Sequence, residues 1–166
     1  MRKKHNKLLW HLRVLLSSIL GTTAMTMFSY LLSAHQHKNF REPDLLDKLV
    51  HRLLRGDSKK QQQPAGWFLH YLTGLLFAEA YTLFWTANAE KNLRSGLMLG
   101  GISGIAAILI WKFAFSSHPD PPHVDFISFA AQLFVAHVIF GAFVALGYNL
   151  VKPSNSNKRL ARTLVM

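Results

Sequence analysis

Glu79 is the only Asp, Glu, Lys or Arg within four long apolar stretches, residues 14–34, 67–87, 95–111 and 126–148. In an apolar medium an ionised carboxylate is costly, so such a group is either protonated or paired. Counted along a helix, Glu79 lies about 20 Å from one end of its stretch and about 12 Å from the other, too deep to reach water easily. His137 follows Asp125 by twelve residues in the last stretch and reaches a similar depth. A carboxyl and an imidazole held away from water have protonation states close in energy, which suits a proton relay or ion coupling. The same pair can instead fix the register of two helices. Thr22, Thr26 and Ser103 fall near the same level and complete an expected polar core.

A second set of candidate residues gathers outside the apolar stretches. His35 and His37 follow the first, and His118-Pro119-Asp120-Pro121-Pro122-His123-Val124-Asp125 joins the third to the fourth. Imidazole with carboxylate suits zinc, nickel or copper(II), so His35, His37, His118, Asp120, His123 and Asp125 are candidate ligands for a divalent metal. The alternative makes the prolines a stiff turn, Asp120 and Asp125 helix caps, and the histidines wettable interface residues. No other cofactor is indicated. Haem between His70 and His137 is disfavoured, because counting from the stretch ends puts His70 about 9 to 10 Å shallower and axial ligands must share a level. The chain has no cysteine, which excludes disulfides, thiolate metal sites and a thiol nucleophile. No Ser-His-Asp spacing, phosphate loop or His-Glu-x-x-His helix appears, so nothing points to a conventional soluble enzyme.

The elements that hold these residues follow from how charge is distributed. Half of the 166 residues are hydrophobic and 16% are charged, yet the formal net charge is +11. Charged content well below the roughly 25% of a soluble domain, with so large an imbalance, means that apolar and basic segments are segregated. A run of about 20 apolar residues spans a hydrocarbon core. The expected fold is therefore an all-α, integral membrane four-helix bundle in a single domain, residues 1–152, with spans at 8–34, 66–87, 95–116 and 125–151. Residues 153–166 form a basic flexible tail. Trp10, Trp67, Trp85 and Trp111 stand near stretch ends, where indole rings favour the headgroup layer. Between the first two spans, leucine, valine and aspartate spacing over 43–55 predicts a short amphipathic helix, lying in the membrane interface or folded over the bundle. Pro43, Asp44 and Asp47 suit its start, Arg52 and Arg55 its end, and Gly56 a stop.

With the N terminus inside, eleven lysines and arginines flank the inner ends and eight the outer ends. The dense cluster Arg2, Lys3, Lys4 and Lys7 before the first span then places both termini in the cytoplasm of a bacterial-type inner membrane. The basic excess is thus accounted for by orientation rather than by nucleic acid. Helices in lipid meet through small residues. Gly96, Gly100 and Gly104 form such a stripe, with Gly74 and Ala78 on the second span and Gly141 on the fourth. The stripe either packs within the bundle or joins a second copy or a partner membrane protein. The expected role is that of a non-enzymatic accessory or interaction protein of the lipid bilayer. The alternatives are a proton-coupled transporter or channel subunit, and an outer-face metal-binding protein or metalloenzyme.

Overall fold

A computed structural model describes residues 2–54, 64–88 and 91–150, with side chains from Leu8 onward. The expected tail, Arg55 and the stop at Gly56 lie outside the described residues. There are five helices and no strand among the described residues: α1 (Arg2–Gln36), α2 (Glu42–Leu53), α3 (Pro64–Asn88), α4 (Leu93–Ser117) and α5 (Phe126–Leu150). Three helical segments, Leu8–Gln36, Leu93–Ser117 and Phe126–Leu150, are long and apolar enough to cross a membrane. α3 matches them in length but is diluted by His70, Tyr71, Thr73, Glu79 and Thr82.

The helix ends have local causes. Asn92 accepts a hydrogen bond from the Ser95 amide (2.8 Å) and so starts α4. Asp125 does the same for α5, taking the Ser128 amide (3.3 Å) and the Ser128 hydroxyl (2.6 Å). After α1 the chain turns at His37, whose φ of 53° is left-handed, and the Phe40 amide then donates to Ser33 Oγ (3.0 Å). Pro43 in the first turn of α2 needs no amide partner, and Glu42 and Asp44 there complement the positive helix end.

The long helices pack in the order α4, α5, α1, α3, with neighbours antiparallel: Gly147 meets Ser17 and Gly21 meets Phe140, while Gly74 meets Thr22. The start of α1 and the end of α5 therefore share one end, where the Arg13 guanidinium lies 5.3 Å from the Tyr148 ring centre. α4 is seated on α5 by its glycines. A Cβ at Gly96 would meet the Gly141 carbonyl at 2.5 Å and one at Gly100 the His137 carbonyl at 2.5 Å, so only glycine permits this approach. The stripe is thus occupied inside the chain.

α3 and α4 touch closely only near one end, where Tyr81 bonds Ser103 and Trp85 Nε1 donates to Ser95 Oγ (2.8 Å). Farther along they diverge, and α2 packs against α3 at the far end. Its acids do not face outward: Glu42, Asp44 and Asp47 are buried together with Leu45 and Leu49. Asp47 lies against Gly66 in the first turn of α3, whose positive end suits a carboxylate. Arg52 holds the loop between α4 and α5 by donating to the Pro121 carbonyl (3.1 Å) and pairing with Asp120 (3.3 Å). Two of the four tryptophans near stretch ends face inward. Trp85 is fully buried and Trp111 packs edge-on to Phe129 (5.3 Å), so both are core rings.

Candidate functional site

The buried polar groups begin with α1. Ser18, Thr22, Thr26, Ser29 and Ser33 recur every three or four residues and, with Ser17, all face inward. Helical hydroxyls can donate to the carbonyl one turn back, and here Thr26 donates to Thr22 (2.6 Å). Their oxygens remain available as acceptors toward other helices. His70 of α3 bonds Thr26 Oγ1 through Nε2 (2.9 Å), and Gln132 of α5 donates to Ser29 Oγ.

Glu42 enters this layer from the start of α2. It is 2% exposed, and its Oε1 accepts from Ser29 Oγ (2.8 Å) and Gln132 Nε2 (3.1 Å). Its Oε2 is buried with no hydrogen-bond partner. Burial pushes the carboxyl up to about 7, against the lowering effect of the Gln132 and Ser29 bonds. The layer separates two apolar clusters. One is built around Tyr81, Trp85, Phe140 and Tyr148, the other around Phe40, Leu45, Trp111 and Phe129.

Beside the layer, in the gap between α3 and α4, is a cavity of about 130 Å³ with mainly apolar walls. Glu42, His70 and His137 line it, with Phe77, Trp111 and Phe140 among the rings and exposed Thr73 and Ile110 at its mouth. His137 Nδ1 bonds the Leu133 carbonyl (2.9 Å), and its ring lies edge-on to Phe77 at 5.8 Å.

Several expected residues occupy different surroundings from those the spacing suggested. Glu79 is half-buried and has no hydrogen bond or ion pair among the described residues. It lies two residues beyond Phe77, about 200° around α3 from the side that meets His137. The structure therefore does not join Glu79 to His137, and the carboxylate that shares a cavity with that histidine is Glu42. Ser103 pairs with Tyr81, Thr26 with His70, and Thr22 Oγ1 is buried against Gly74 with no partner. The depth argument about the two histidines also changes. His70 is level with Thr26 and Gln132 with Ser29, so His137, five residues farther along antiparallel α5, falls about 3 Å from the level of His70. The same contacts place the first turn of α3 deeper than that of α5, so the two helices do not start in one plane.

The outer histidines and aspartates stand apart. His118 Nε2 donates to the Leu49 carbonyl (2.9 Å) and its Nδ1 accepts from the Asp120 amide (3.0 Å), leaving no free nitrogen. Asp120 pairs with Arg52. Asp125 pairs with Lys38 (2.8 Å), and that hydrogen bond holds its carboxyl well below the usual carboxylate range. His35, His37 and His123 are exposed. Among the described residues no three metal-ligating side chains converge.

Glu42 was the residue that sequence reasoning missed. Its signal was weak: an acid beside proline at a helix start reads as a dipole partner, and Ser29 and Gln132 are too far away in sequence to suggest the contact. Comparison with protein-family models, with curated proteins and with solved structures finds no match.

Proposed function

We infer that this chain is a multi-pass integral membrane protein in which α1, α3, α4 and α5 all cross the bilayer, and that it acts as a non-enzymatic binding or accessory protein. The observation that carries this reading is the inside-out arrangement of α3. Its inner face holds His70, Thr82 and Trp85, while Phe68, Leu72, Leu76 and Leu83 are exposed along its outer face. A face of that kind is costly in water and suited to lipid. The other long helices carry equivalent exposed residues, such as Met27 and Leu31, Ile105 and Leu109, and Ile127 and Leu146. Interior polar groups paired across helices fit a packed membrane domain. The antiparallel order and the basic N-terminal cluster support cytoplasmic termini in an inner membrane, with α2 tucked into the outer end.

Because the chain has no cysteine, single substitutions report topology cleanly. In intact cells, Lys60→Cys reacts with an impermeant maleimide and Lys91→Cys reacts only after permeabilisation. Equal labelling of the two positions would mean that α3 does not cross.

A further inference from the structure

We propose that the cavity between α3 and α4 is a binding site for the head of a phenol, a flat aromatic ring bearing one hydroxyl donor, with any tail leaving through the gap between the two helices. The proposal deepens the binding-protein reading by naming the class of ligand. It depends on membrane topology only for the route of entry.

Hydrogen-bond bookkeeping sets the polarity of the ligand. Thr26 spends its proton on the Thr22 carbonyl (2.6 Å), so its oxygen accepts from His70, and the His70 proton is on Nε2. The Leu133 carbonyl can only accept, so His137 carries its proton on Nδ1. In their neutral forms both imidazoles therefore keep a lone pair without a protein partner, on Nδ1 of His70 and Nε2 of His137. Both residues are 6% exposed and line the cavity. Glu42, which also lines the cavity, has its Oε2 buried without a partner among the described residues. The two imidazole lone pairs are acceptors in want of a proton, and a ligand that fits must donate.

Size and wall chemistry set the rest. The cavity, about 130 Å³, is close to the roughly 150 Å³ apolar cavity that holds one benzene ring. Phe77, Trp111 and Phe140 offer ring faces and edges for an aromatic guest. An alkylammonium would bring three donors and a charge into apolar walls, at a larger desolvation cost than a neutral phenol. Exposed Thr73 and Ile110 flank an opening on the outer surface, so a substituent para to the hydroxyl has a way out.

The test uses the purified full chain in detergent and calorimetric titration with 4-ethylphenol, its methyl ether 4-ethylanisole, and hexylamine. The phenol is expected to bind about tenfold or more tightly than the ether, the ratio that one satisfied buried acceptor supplies. In His137→Leu and His70→Leu, each checked for a native melting transition, at least one substitution brings the ratio near one while weak apolar binding persists. Saturable binding of 4-dodecylphenol in nanodiscs, tighter than that of the short phenol, assigns the site to a lipid phenol, whereas tighter binding of the short phenol assigns it to a small soluble one. Equal binding of phenol and ether, binding of hexylamine in preference to the phenol, or a phenol preference that survives both substitutions overturns the proposal. The wild-type comparison decides the matter if the variants do not fold. None of these outcomes alters the maleimide labelling pattern, so the two readings fail separately.

Discussion

Replacing Glu42 by glutamine should stabilise the protein at alkaline pH and not at acid pH. The carboxyl titrates near 7 in the folded chain and near 4.5 when unfolded, with burial the leading cause. Asp44 on its own helix raises it further, no cation among the described residues pairs with it, and the other titratable groups lining its cavity are His70 and His137. Folding is favoured where Glu42 is protonated in both states, below pH 4.5. That advantage is lost as pH rises through the folded value, because the unfolded chain then ionises more readily. The gap corresponds to about 3 kcal/mol between pH 4 and pH 8. Glutamine keeps the shape and the acceptor facing Ser29 and Gln132 but cannot ionise. Any cost of its unpartnered amide is the same at every pH and drops out of the slope. Thermal unfolding in detergent across this range should show the melting temperature of Glu42→Gln gaining on that of the wild type by roughly 6 to 12 °C. A difference that stays flat with pH, or a wild type that gains at pH 8, would refute the assignment of a buried, unpaired carboxyl.

Three further substitutions test the packing that builds the site. Gly141→Ala places a methyl on the Gly96 carbonyl and against Gly100 Cα (2.8 Å), so it should destabilise by roughly 1–3 kcal/mol despite its better helix propensity. Gly101→Ala meets only Phe134 at 3.8 Å and should gain up to about 1 kcal/mol; similar melting shifts for the two would show that α4 does not rest on α5 by its glycines. Gly66→Ala puts its methyl on the Pro43 carbonyl and against Asp47, displacing α2, so the pH slope due to Glu42 should shrink with it. An unchanged slope in that variant would mean that the seat of α2 on α3 does not control the burial of Glu42.

Helix positions were legible because apolar length and capping residues are local properties. The expected 43–55 helix is found at Glu42–Leu53, and the expected spans correspond to the long helices within a few residues. The glycine spacing on α4 announced a close contact but not its partner, since small-residue spacing carries no address. Angular position was harder. Glu79 stands out in a composition profile because its surroundings are apolar, but its angular position, among Leu72, Leu76 and Leu83 on the exposed side of α3, keeps it from the interior polar layer. Glu42 is hidden among charged neighbours in a polar segment, and only the fold of α2 onto α3, α4 and α5 removes it from water. Trp85 differs for the same reason: proximity to a stretch end gives depth, whereas its burial depends on which side meets Ser95.

α5 touches α4 along its glycines and α1 along its serines, and it is the most apolar and most buried of the three long apolar helices. It is also made after the other four. Until α5 arrives during synthesis, the glycine stripe of α4 lacks its partner, Ser29 lacks Gln132, and Glu42 lacks one of its two donors. Completion of the polar layer therefore waits on α5, and a chain stopped before Phe126 leaves the stripe uncovered and Glu42 with Ser29 alone.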